Sequence, residues 1–174
     1  MNAEQEIAKL AVMMQSLTKG IEVTRLQIAA NDRKWGTFTE GLAYPAMTNI
    51  LARELGLDTF MLRPKRRKNG DTCEYDVMGF ANGRTNKVAI VEVKSHLRDD
   101  AIEQLEEQID AFAHFYPEHA GKAVYGVIAA VEVPEQVAKK VIAKGFYLAR
   151  IHDEKFELAV PRGFKPTAFH PKAD

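Results

Sequence analysis

The residues best suited to chemistry are polar groups that interrupt otherwise apolar stretches. In Lys87 to Ser95, KVAIVEVKS, Glu92 and Lys94 stand in a run that is apolar through its middle on both alternating faces. Such a run predicts a strand buried on both sides, where an unpartnered carboxylate or ammonium is strongly disfavoured. Being two apart, Glu92 and Lys94 share one face of that strand, behind Val88 and Ile90. A second carboxylate, Asp76, stands among apolar neighbours in Thr72 to Phe80, where alternation places Glu74, Asp76, Met78 and Phe80 on one face and Tyr75 and Val77 on the other. The turn chemistry of Ala81-Asn82-Gly83-Arg84 predicts that the two strands form a hairpin, which brings Asp76 close to Glu92. Two carboxylates held together repel unless a proton or a cation intervenes. Oxygen ligands of this kind suit magnesium or manganese, which keep several waters and complete their shell from substrate phosphates. A neighbouring lysine can orient or deprotonate an attacking water, or offset phosphate charge. The set points to metal-assisted hydrolysis of a phosphodiester, against the alternative of a purely structural ion-pair cluster.

The elements that must position these groups follow an α/β order. Ile7, Leu10, Met14, Leu17, Ile21, Thr24 and Ile28 keep an unbroken 3-4 spacing, the heptad pattern of a long coiled-coil-like helix over residues 1–33. That helix packs either on its own domain or against a copy from another chain, giving a homodimer. It ends near Asn31-Asp32, and Trp35-Gly36 opens a domain over 34–162. Thr37 to Leu55 reads as a helix with the stripe Tyr44, Met47, Leu51 and Leu55, widened by Leu42, Ala46 and Ile50, and with Pro45 in an early turn. Three strands follow, Thr59 to Pro64, Thr72 to Phe80 and Lys87 to Ser95. Asp100 and Glu103 resemble a capping box for the next helix, whose stripe is Ile102, Leu105, Ile109 and Phe112. Ala123 to Val131 reads as another buried strand, Pro134 to Lys144 as a helix closed by Gly145, and Tyr147 to Ile151 and Lys155 to Val160 as short strands. Residues 163–174, with Pro166 and Pro171, read as an irregular tail.

Asp76 followed by Glu92-Val93-Lys94 resembles the D…(D/E)-x-K signature of the PD-(D/E)XK nuclease superfamily, and the helix, three-strand, helix, strand order after residue 35 resembles its shared core. The likeness spans roughly residues 36–152 and leaves the N-terminal helix outside. It implies a restriction endonuclease-like core (αβββαβ, a mixed central sheet flanked by helices). It also implies a DNA-cutting activity dependent on magnesium or manganese, with RNA not excluded. Asp76 and Glu92 would be metal ligands, the Val93 carbonyl would complete the shell, and Lys94 would stand near the attacking water. Tyr75 occupies the place of the proline in the family's name. Many members carry a glutamate on the first helix that reaches the metal; Glu40 fits that role, or caps its helix with Thr37. The same resemblance allows a second outcome, a catalytically inactive module that binds nucleic acid or a protein partner.

Other polar residues have competing explanations. Glu74 shares the expected face of Asp76. Ser95 and His96 could meet phosphate but suit a turn better, and Gln104 and Gln108, on the helix where some members of the resembled family place a polar site residue, fit an exposed helix face better. Arg63 to Lys68, RPKRRK, holds five cations in six positions and reads as a solvated loop or a phosphate-facing one. A formal net charge of zero weighs modestly against nucleic acid as a partner. No apolar run approaches the roughly 18 residues of a membrane span, so no anchor or signal peptide is expected. The single cysteine, Cys73, excludes an internal disulfide or a cysteine-clustered zinc site and matches a reducing cytoplasm.

Overall fold

The computed structural model describes residues 13–15, 17–22, 24, 39, 41–153 and 155–172. The chain divides into two units, Met1–Thr37 and Phe38–Asp174. In the first, residues 13–15, 17–22 and 24 are helical. Thr18 and Thr24 donate their hydroxyls to the carbonyls of Met14 and Gly20, one turn back, at 2.9 Å each. Met14, Leu17 and Ile21, three members of the heptad stripe, are 68, 66 and 61% exposed. Ile7, Leu10 and Ile28, with the boundary residues Asn31, Asp32, Trp35 and Gly36, lie outside the described residues, as do Thr37 and Glu40. Among the described residues no helix is long and apolar enough to cross a membrane.

The second unit is an α/β sandwich whose central sheet is mixed. Its strands are β1 (Thr59–Leu62), β4 (Val77–Ala81), β5 (Lys87–His96), β6 (Ala123–Glu132), β7 (Tyr147–His152) and β8 (Lys155–Leu158), in the spatial order β1-β4-β5-β6-β7-β8. β5 and β6, the two most apolar runs, lie at the centre and pair in parallel, as do β6 and β7; the remaining pairs are antiparallel. A separate hairpin joins β2 (Lys65–Lys68) to β3 (Asp71–Glu74).

Side-chain alternation along β5 divides the core in two. Val88 and Ile90 face helix α2 (Asp99–Phe115), packing with Ile102, Leu105, Ile109, Phe112 and the β6 residues Val124 and Ile128. Ala89, Val91 and Val93 face helix α1 (residues 41–55), packing with Met47, Ile50, Leu51 and Leu55. Helix α3 (Glu135–Ala143) adds Ala138 and Val141 to the α2 side. Full burial of each large aliphatic or aromatic residue in these layers contributes about 1.5–3 kcal/mol.

Several expectations need correction. Five strands rather than three separate α1 from α2. The basic stretch after Arg63 is itself a strand, paired with β3, and its inner cations Arg66 and Lys68 find partners in and just after α2. The strand expected over Thr72 to Phe80 breaks at Tyr75-Asp76, where the Tyr75 amide turns to the Pro64 carbonyl at 3.2 Å. The break reverses the alternation: Tyr75 packs with Met78 on the α2 side instead of joining Val77. The capping box does not form, since α2 starts at Asp99 with Arg98 as N-cap and no side-chain cap bond; Asp99 and Asp100 lie in its first turn, where they suit the helix dipole. In α1, Ala43 is buried while Leu42 is 44% exposed. The irregular tail is docked: Phe169 exchanges backbone bonds with Val124 at 2.8 and 2.9 Å and packs on Phe146. β7 begins opposite Val127, so the tail takes the flank of β6 that β7 has not yet reached.

That docking depends on Gly145, which has φ 79° and whose added Cβ would lie 1.9 Å from Thr167 Oγ1. Gly163 has φ 80° and open space. Gly163→Ala should cost about 1 kcal/mol from the left-handed backbone alone, and Gly145→Ala a further ~1–3 kcal/mol from overpacking. Urea denaturation of both variants checks the difference; equal losses would mean that the tail does not pack on Gly145.

Candidate active site

The sheet delivers its polar groups to the C-terminal end of β5. β4 and β5 pair with Val77 opposite Val91, so the residue preceding β4, Asp76, reaches the level of Glu92 and Val93. Because Tyr75 has left the ladder, no β4 backbone carbonyl meets the next β5 amide. The Asp76 side chain supplies the acceptor: Val93 N–H donates to its Oδ2 at 2.7 Å.

Glu92 follows Val88 and Ile90 on the α2 face and is only 2% exposed. A carboxylate so deeply placed needs partners on both oxygens. Lys94 Nζ lies 2.6 Å from Oε1, and Gln108 Nε2 donates to Oε2 at 3.0 Å. Lys94 also donates to Gln104 Oε1 at 2.9 Å. Gln104 and Gln108 are one helical turn apart on α2, so both amides overhang the strand end from one helix face. The expectation that they occupy an exposed face is wrong; both are half-buried against the Glu92–Lys94 pair. A glutamine pair bordering the apolar positions Leu105 and Ile109 was the available signal for this. Gln108 Oε1 is buried with no hydrogen-bond partner.

Tyr75 closes the site from below, its hydroxyl donating to the Gln108 carbonyl at 3.4 Å. Burial, reinforced by its bond to Cys73, pushes the Tyr75 hydroxyl far above the usual phenol range, so it stays a proton donor. On the opposite face of β5, Ser95 Oγ lies 3.3 Å from the hydroxyl of Thr39, a buried residue.

The sequence candidates thus separate. Asp76, Glu92, Val93 and Lys94 converge. Glu74 does not join them, since it pairs with Lys65 across the β2–β3 hairpin at 2.7 Å. Ser95 and His96 belong to β5 rather than to a turn, and His96 pairs with Glu132 at 2.5 Å. Glu40 lies outside the described residues. Among the described residues no three His, Cys, Asp or Glu side chains group closely enough to hold a metal ion. The possible ligands in the converging set, two carboxylates from adjacent strands and a backbone carbonyl, are nonetheless all oxygen, and this chemistry fits a hard divalent cation that keeps solvent or substrate oxygens in its shell.

No protein-family model and no curated protein matches the chain. Among solved structures, a repair endonuclease from Pyrococcus abyssi aligns with 62% of this chain at 19% identity and a TM-score of 0.41. The alignment spans 46% of that protein's length. So distant a likeness adds nothing to what the residues themselves show.

The Glu92–Lys94 contact can be weighed directly. Lys94→Met strands the buried Glu92 carboxylate and should cost about 2 kcal/mol, less than a fully buried pair because the lysine is partly solvated. Glu92→Gln in that background should recover part of the loss. A double-mutant cycle by urea denaturation in chelator measures the coupling; additive losses would show that the pair is not coupled in the folded chain.

Proposed function

We propose that the chain is a metal-dependent nuclease that hydrolyses phosphodiester bonds, with DNA as the foremost substrate. The observation that carries this reading is the convergence of Asp76 and Glu92 from adjacent strands beside the Lys94 ammonium. The PD-(D/E)XK resemblance assigns the same residues. In that assignment Asp76, Glu92 and the Val93 carbonyl would hold magnesium or manganese. The chemistry such a cation supplies when bound is activation of water and screening of phosphate charge. Lys94 holds its ammonium at the mouth of the site, where it can orient a water or meet a phosphate oxygen. Gln104 and Gln108 fix the Lys94 and Glu92 side chains, and the apolar layers on both faces of β5 keep bulk water away from the carboxylate.

Purified chain should cut DNA only with magnesium or manganese present, and Asp76→Asn and Lys94→Ala should each slow cutting by about 100-fold or more. Undiminished cutting by either variant would remove the proposed site.

A specific feature favours the second reading, an inactive module of the same fold. Both Glu92 oxygens are already engaged, by Lys94 and Gln108. Calorimetric titration with manganese separates the two readings: an inactive module takes up no heat-releasing ion at this site, and Asp76→Asn leaves its titration unchanged.

The N-terminal unit is proposed to pair with a second copy. Met14, Leu17 and Ile21 keep coiled-coil spacing and stand exposed, and a helix of this size is marginal alone in water. Removing residues 1–30 should halve the solution mass in sedimentation or light scattering. Equal oligomeric states for the two chains would exclude the helix as the seam.

A further inference from the structure

The basic run Arg63 to Lys68 has no part in the chemistry above. Three of its cations, Lys65, Arg66 and Lys68, are engaged by partners within the fold. Lys65 pairs with Glu74, and Lys68 donates to the His114 carbonyl near the end of α2 at 2.7 Å. Arg66 does more: its guanidinium lies 4.9 Å over the Tyr116 ring and pairs with Glu118 in the turn that follows α2. Burial works to raise the Glu118 carboxyl, but its backbone bond and the Arg66 guanidinium outweigh that and hold it below its ordinary value. The β2–β3 hairpin is therefore fastened to the helical layer at its inner face.

Its other end is fastened to the site. Arg63 N–H donates to the Asp76 carbonyl at 2.9 Å, and Tyr75 N–H to the Pro64 carbonyl at 3.2 Å. These two bonds hold the strand break that turns the Asp76 carboxylate onto Val93. Tyr75 packs within 5.8 Å of Tyr116, the ring under Arg66. Arg66, Tyr116, Tyr75 and Asp76 form a continuous path of contacts.

We infer that Arg66 is a positioning residue for Asp76: by clamping the β2–β3 hairpin to Tyr116 and Glu118 it fixes the Tyr75-Asp76 break and so the direction of the carboxylate. The basic run is in this view a brace for the metal site rather than a surface for phosphate. The inference deepens the nuclease reading, since Asp76 serves as a ligand only there, but the geometry it claims exists in the metal-free chain.

The test reads the Val93 amide, whose hydrogen bond is made by the Asp76 side chain. Residue-resolved hydrogen exchange is measured on the full chain in chelator, for wild type, Arg66→Met and Arg66→Lys. In Arg66→Met the Val93 amide should exchange at least about tenfold faster while amides of β6 keep their wild-type rates. Arg66→Lys, which keeps a cation over Tyr116 and beside Glu118, should retain most of the protection. Unchanged Val93 exchange in Arg66→Met overturns the inference. So does equal acceleration at Val93 and throughout β6, because a merely structural role lowers global stability alike for both. Should Arg66→Met fail to fold, Glu118→Gln, which removes only the ion pair, is read by the same criteria. Manganese calorimetry of the wild-type chain tests the nuclease reading separately. Val93 deprotection without manganese binding would retain the brace and discard the nuclease.

Discussion

A carboxylate buried to 2% exposure in the central strand of the sheet is the constraint around which the second unit is arranged. Glu92 is tolerable there only because an ammonium and an amide reach it, and each partner makes its own structural demand. Lys94 must lie on the same strand face, which fixes the spacing of two. Gln108 must overhang from the helix layered on that face, which fixes the rotation of α2 about its axis as firmly as Leu105, Ile109 and Phe112 do. Replacing the pair by apolar residues would be at worst neutral for stability in many proteins. Its presence in a strand otherwise filled with valine, isoleucine and alanine therefore speaks for function.

Part of this was legible in the sequence because charge in an apolar run is self-announcing. KVAIVEVKS forces a buried strand and marks Glu92 and Lys94 at once, and the Asn82-Gly83 turn places Asp76 beside them. The partners left only an ambiguous signal. Gln104 and Gln108 flank an apolar helical stripe, and an amide there serves equally well in solvent or against a buried acid. The decision is made by which strand α2 covers, a long-range fact. Lys122 is a similar case: it is 5% exposed and holds the Ala81 carbonyl with Asn82 and Asn86 at the start of β5, yet nothing local distinguishes it from a surface lysine.

The strand break shows a different failure of local pattern. Thr72 to Phe80 alternates well enough to be written as one strand, and alternation gives no sign that Tyr75 turns away. What divides it is competition for backbone bonds. Arg63 and Pro64 offer a donor and an acceptor that Tyr75-Asp76 take instead of continuing the β4–β5 ladder. A bulky tyrosine then fills the space between Phe112 and Tyr116 that an extended strand would have left to a smaller side chain. Charge density misled in the same region. Six residues with five cations suggest a solvated loop, yet Lys65 pairs with Glu74, and Arg66 pairs with Glu118 and lies over Tyr116.

These two features meet at Asp76. A carboxylate placed one residue beyond the end of a ladder, with the backbone diverted, inherits the hydrogen bond that the missing strand residue would have made. The 2.7 Å bond from Val93 ties its orientation to the sheet. The neighbouring strand presents Glu92 at the same level because antiparallel register leaves no freedom between them. Two acids that would repel in solution are thus held together by backbone geometry, and Lys94 with Gln108 offsets the charge of one of them. A cation nearby relieves the repulsion between carboxylates placed at one level. The lysine supplies one within the chain, and a divalent ion on the same oxygens would supply a stronger one.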